Sequence, residues 1–197
     1  MRGVEAAYEE FLNEVSFIEG RLLLLAELKE WREKIRSIRP IARLRDEFGP
    51  LRSKIKEFTD RLYEMSLSLS LVYTISCLEK FLRNTYLELG FNVEKKDRGI
   101  FSSPKEFLKR LSKRIGVDYQ PDDLVKRVEA IFQKRHIIVH RDGLIDKDAY
   151  GIFKQAKIDE GNVGDRLILD SKKLKDDVSY IKKFAERVKN LAMKHRL

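Results

Sequence analysis

The sequence is poor in the side chains that metal sites and disulfides need: one cysteine, Cys77, and three histidines in 197 residues. A lone cysteine excludes an intramolecular disulfide and a cysteine-based zinc cluster, and it points to a reducing compartment such as the cytoplasm. With only four prolines and ten glycines there is no Pro- or Gly-rich linker and no low-complexity segment. Long apolar runs are missing as well. The longest uncharged stretch, Met65 to Leu78, has 14 residues between Glu64 and Glu79, short of the roughly 18 that span a bilayer. The opening residues, MRGVEAAYEE, turn acidic where a secretion signal turns apolar. A cytoplasmic protein with no membrane partner is expected. There is also no P-loop, no Gly-rich dinucleotide turn, no His-Glu-x-x-His helix and no Gly-x-Ser-x-Gly elbow, which removes the commonest nucleotide, zinc-protease and serine-hydrolase readings.

What is present is charge and helical patterning. The chain carries 41 Lys+Arg against 32 Asp+Glu, a net +9. Residues 1–100 hold 18 basic and 17 acidic groups, residues 101–197 hold 23 and 15, so the excess sits in the second half. Such asymmetry suits a polyanionic partner such as RNA. A second reading is a well-solvated, heat-adapted surface, given only three Gln and five Asn.

From Val4 to Ile38, Tyr8, Phe11, Leu12, Val15, Ile18, Leu22, Leu25, Leu28 and Trp31 recur at three- and four-residue spacing, which predicts one buried helical face ended by Pro40. ARLRDEFGP reads as a connector closed by Gly49 and Pro50. A second long helix is expected over Leu51 to Leu89, through Ile55, Phe58, Leu62, Met65, Leu69, Val72, Ile75, Leu78 and Leu82, with its uncharged middle in the core. NVEKKDRG marks a loop. Ser103-Pro104 supplies an N-cap and first-turn proline for the basic helix KEFLKRLSKR, and Pro121-Asp122-Asp123 opens LVKRVEAIFQKRHIIVH with carboxylates at its positive end. GIFKQAKID and DRLILD, separated by EGNVG, read as a small β-hairpin. A last amphipathic helix starts at Ser171. The expectation is one mostly all-α domain over 1–197, an antiparallel bundle whose N-terminal helix and connector occupy 1–50 and whose core occupies 51–197.

The residues that can carry chemistry concentrate in Arg135-His136-Ile137-Ile138-Val139-His140-Arg141-Asp142-Gly143. Its apolar triplet must bury one side, which fixes the polar neighbours on the bundle surface. His136 and His140, four apart, share a face; Arg135 and His140 lie about 140° apart around the helix and flank a groove.

An Arg, a polar residue directly after it, three more residues and a His at the end of a helix resemble the signature of the HEPN superfamily, whose members often read Arg-Asn-x-x-x-His. Here the polar slot holds His136. SLVYTISCLEKFLRN resembles the family's earlier core helix with its Leu-Glu-x-Phe pattern. The Asp-Gly after the His, the expected hairpin and the last helix are similar to the branch grouped with RiboL-PSP-type domains. The resemblance covers residues 60–197. Toxin-type members often carry a Tyr two residues after the His, where this chain has Asp142.

The resemblance implies a metal-independent endoribonuclease without cofactor, active as a homodimer in which two motif helices form one composite cleft. It is of a kind found among toxins and defence effectors and held in check by an antitoxin or other neutralising protein. The alternative is a non-catalytic dimeric module that binds RNA, nucleotide or a protein partner. RNA cleavage without metal needs a base for the 2′-hydroxyl, an acid for the leaving 5′-oxygen and a cation for the phosphorane. Histidine exchanges protons near neutral pH and arginine grips phosphate bidentately. On this reading His140 is the general acid/base, Arg135 the phosphate clamp and His136 a positioning or second proton-transfer group. Arg141, Lys134, Lys109, Arg110 and Lys113 would hold the RNA backbone, and Glu79 would fix Arg135. Structural roles compete with each assignment. His140 can cap the helix dipole, Arg135 can be the buried partner of Glu79, and the basic helix can be a solvated face. A His136–His140 zinc pair lacks further ligands beyond Cys77 or His195, so no metal site is expected.

Overall fold

The computed structural model describes residues 2–37, 42–94 and 99–195. The three- and four-residue apolar spacing of the N-terminal segment produces helix α1, Arg2–Ser37, which buries Val4, Phe11, Val15, Ile18 and Leu22. Burial ends at Leu25. Leu28 is 62% exposed, on the same outward face as Phe17 and Leu24. The expected stop at Pro40 lies outside the described residues.

Helix α2 spans Ala42–Glu88 and so begins before the predicted connector is over. Arg, Leu and Glu in ARLRDEF are good helix formers, and an interior proline, which costs about 3 kcal/mol, can kink a helix instead of ending it. The face that α2 buries also departs from expectation. Leu67, Leu71, Ile75, Leu78 and Leu82 are buried, joined by Ser70 and Thr74, whose hydroxyls donate to the carbonyls one turn back. The stripe Ile55, Phe58, Leu62, Met65 and Leu69 points to solvent instead. Apolar residues on two sides of one helix satisfy the same spacing rule, so periodicity alone merges two faces. An 18-residue window within Ser53–Glu88 is apolar enough to cross a bilayer, and half of it is buried in this bundle.

After a 3₁₀ turn at Ile100–Ser102, helix α3, Pro104–Ile115, starts as the sequence predicts. Ser103 caps it, Pro104 opens it, and Gly116 at φ 71° ends it in the left-handed conformation that glycine adopts without strain. Helix α4, Asp123–His140, is capped by Asp122, whose carboxylate accepts from the Val125 amide at 3.1 Å. Ser103 Oγ and the Lys105 amide both donate to Glu129 Oε1, at 3.0 and 2.6 Å, which fastens the start of α3 to the middle of α4.

The predicted hairpin is not formed. GIFKQ belongs to helix α5, Lys147–Gln155, capped by Asp146. The i, i+4 pair Ala149 and Phe153 is buried, so a 3.6-residue period wins over the apparent alternation. DRLILD is extended but makes a single isolated antiparallel bridge, Arg166 to Leu144, and no strand occurs among the described residues. Its would-be partner is helical, which leaves it nothing further to pair with. Helix α6, Ser171–His195, begins where Asp170 accepts from the Lys172 and Lys173 amides, and buries Leu174, Val178, Ile181, Phe184 and Val188.

One apolar core draws on α1, α2, α3, α4 and α6. A smaller cluster, Ala130, Ile137, Ile145, Ala149, Phe153 and Leu167, sits under the C-terminal end of α4 and fixes where that end emerges. α1 and α2 run antiparallel, with Lys80 Nζ 2.9 and 3.0 Å from Glu10 and Glu14. The fold is all-α.

Candidate functional site

Ile137 anchors the motif. It is fully buried in the small cluster, and its carbonyl accepts from both the Arg141 and Gly143 amides, at 3.0 and 3.1 Å, where α4 stops. Asp142 (φ 51°) and Gly143 (φ 81°) are both left-handed, so the chain reverses sharply and the Gly143 carbonyl accepts from the Leu167 amide at 2.8 Å. The Asp-Gly after the histidine is thus the helix stop.

With Ile137 turned inward, His136, Val139 and His140 are exposed. The two imidazoles stand 5.0 Å apart between ring centroids, tilted by 48°. Arg135 is half-buried on the flank towards α2, where its Nη1 lies 3.6 Å from Glu79 Oε1. At that distance the pair is bound by charge and not by a hydrogen bond. Among the described residues, Glu79 Oε1 and Arg135 Nε are buried with no hydrogen-bond partner, so the contact orients the guanidinium by charge and leaves both atoms unsatisfied.

The remaining expected residues divide. Lys134 does not join the surface: it is 1% exposed, its ammonium 2.6 Å from Asp177 and 2.8 Å from Glu160. The helical step that turns Arg135 outward turns Lys134 into the core, so it cannot hold a phosphate. Asp177 also meets Arg127, and Glu160 meets Lys173. Burial pushes the Asp177 carboxyl above the usual carboxylate range even with Lys134 beside it. Arg141 is exposed and reaches Asp146, the cap of α5, at 3.5 Å. Lys109 and Lys113 are exposed on α3 and Arg110 half-buried; Lys109 lies 4.0 Å from Glu106. It is the first turn of α3 that meets α4, at Glu129, about 9 Å along the helix from Arg135, and Lys109, Arg110 and Lys113 follow one to two turns later on α3.

Sequence reasoning missed an open groove of about 560 Å³ beside Glu79, lined by Ser76, Glu79, Lys80, Arg83, Phe101 and Ser102. Arg83 extends over the Phe101 ring at 5.9 Å. The α2 residues could have been found, since 76, 79, 80 and 83 share a helical face with Glu79. Phe101 and Ser102 could not, because a loop brings them there. Lys80 is held above the ordinary lysine range by Glu10 and Glu14, which ties its charge to α1. Among the described residues, no three His, Cys, Asp or Glu side chains group so as to hold a metal ion. Cys77 is buried, and burial followed by its contact with Glu14 pushes its thiol up to about 12, so it is inert at neutral pH.

Two imidazoles share one exposed helix end, and the Arg135 guanidinium lies on the flank beside them, towards α2. Comparison with family models, with curated proteins and with solved structures finds no match to this chain.

Proposed function

We propose that the protein is a metal-independent endoribonuclease of the HEPN type, acting on RNA in the cytoplasm. The observation that carries this reading is the spacing inside one motif: His136 and His140 side by side at 5.0 Å, next to an arginine oriented by Glu79. His140, at the helix end, takes the proton of the 2′-hydroxyl, whose oxygen attacks the adjacent phosphorus. His136 returns a proton to the departing 5′-oxygen, and Arg135 balances the charge on the phosphorane. The products are a 2′,3′-cyclic phosphate and a free 5′-hydroxyl. Because one chain supplies both imidazoles, the proton transfers do not depend on a second motif, although the resemblance implies a cleft shared by two. The exposed Lys109, Lys113 and Arg141 supply sequence-independent attraction for the backbone, in keeping with a toxin or defence effector.

The experiment is incubation of labelled RNA with parent and His140→Ala proteins in EDTA. The parent should cut and leave 2′,3′-cyclic termini, and the variant should lose roughly 10²-fold or more in rate. Equal cleavage by the variant rules the mechanism out. One feature favours a second reading, a non-catalytic RNA-binding module: the Arg135 side chain is 28% exposed and already faces a carboxylate. RNA retained but left uncut by the parent would establish that reading.

A further inference from the structure

Helix α2 carries a second apolar stripe that the bundle does not use. Ile55, Phe58, Leu62, Met65, Leu69 and Val72 follow one another at alternating three- and four-residue steps, which is a heptad repeat with every seam position filled. The first five are each between 40% exposed, at Leu62, and 62% exposed, at Phe58. On α1, the face that sends Glu10 and Glu14 across to Lys80 continues as Phe17, Leu24 and Leu28, all more than half exposed. The two helices therefore present one apolar surface directed away from the core. At roughly 100 Å² for each half-exposed large side chain, this surface amounts to about 800 Å², the area that each partner contributes to a standard stable interface and more than a typical monomer leaves open.

We propose that a second copy of this chain covers this face, the two α2 helices packing antiparallel about a two-fold axis that passes between the levels of Tyr63 and Glu64. The seam is complementary to its own reverse. In that register Ile55 meets the partner's Val72, Phe58 meets the partner's Leu69, and Leu62 meets the partner's Met65, so each position of one heptad class faces the other class. Along the flanks Arg61 comes beside the partner's Ser68 and Thr59 beside the partner's Ser66, while Glu57, Asp60 and Glu64 all fall at outward positions. No like charges are opposed. A parallel pairing would extend the same seam to set Glu79 against the partner's Glu79 and Arg83 against the partner's Arg83, a repulsive arrangement. The antiparallel pairing leaves the two motifs about 45 Å apart along α2, at 1.5 Å per residue. Each motif then works with its own two imidazoles, unlike the shared cleft of the family resemblance. The inference does not rest on the ribonuclease reading, and its test contains no RNA, so the two fail separately.

The test is sedimentation of the full-length chain. The parent should run at twice the chain mass at micromolar concentration. Leu62→Glu, a change at a solvent-exposed side chain, should weaken the dimer at least 100-fold while helical circular dichroism stays at the parent level. Register is read by disulfide trapping, where buried Cys77 does not compete. Phe58→Cys and Leu69→Cys proteins should each remain uncrosslinked alone and form a covalent dimer when mixed. A monomeric parent at 100 micromolar or so, a dimer indifferent to Leu62→Glu, or self-crosslinking of Phe58→Cys would each overturn the proposal. A monomeric parent that sediments with phosphatidylcholine vesicles would assign the face to lipid.

Discussion

Arg135 Nη1 stands 3.6 Å from Glu79 Oε1, a contact between α4 and α2 that holds the guanidinium by charge while its Nε makes no hydrogen bond. An arginine held this way has lost rotational freedom. Replacing Glu79 with Gln removes the charge and keeps the shape. RNA cleavage by Glu79→Gln should fall about 10- to 100-fold, in kcat more than in KM, since a displaced clamp costs rate through misalignment. Arg135→Lys should not substitute, because an ammonium cannot reproduce the bidentate fork. Unchanged kcat in Glu79→Gln would show that the pair is only structural.

The Glu79–Arg135 pairing was legible in the sequence because each residue sits on a strongly patterned helix and few partners compete for a half-buried arginine. The caps at Ser103 and Asp122 were legible for the same reason: capping is local, and the residue that does it lies within three positions of the amide it serves. Lys134 was not. Its neighbours Gln133 and Arg135 look equally polar in sequence, and only the arrival of Asp177 from α6 and Glu160 from a loop makes a buried ammonium tolerable. The two faces of α2 and the helical state of GIFKQ depended likewise on which neighbour each side chain meets.

The Lys134 cluster gives a stability prediction. Lys134→Met removes the ammonium 2.6 Å from Asp177 and 2.8 Å from Glu160, leaving two carboxylates in the core with only the more peripheral Arg127 and Lys173 to meet them. Losing one partner of a buried ion pair costs about 3–5 kcal/mol, which equilibrium urea denaturation resolves easily. A loss below about 1 kcal/mol would mean that the cluster behaves as a solvated one. Because Glu160 belongs to the loop before α6, the variant should also expose that loop to proteolysis ahead of global unfolding.

Asp122 yields a prediction in pH. Burial opposes its ionisation, but the Val125 amide and the Arg187 guanidinium together outweigh that and hold its carboxyl below the ordinary aspartate range. The folded state therefore binds this proton less readily than the unfolded chain does. The resulting stability is fully present above the ordinary range, near pH 4, and is lost as pH falls through the lower folded value. Asp122→Ala should cost about 1 kcal/mol near neutral pH, the worth of a helix cap. Asp122→Asn should cost less, because an amide oxygen still accepts from Val125 while the half-exposed contact with Arg187 is weakened by solvent. The difference between parent and Asp122→Asn should be level from pH 5 to 8 and shrink towards zero as the carboxylate protonates, as measured by thermal melts across pH. A difference that instead widens below pH 4 would place the stabilising interaction on the protonated form and reverse the sign argued here.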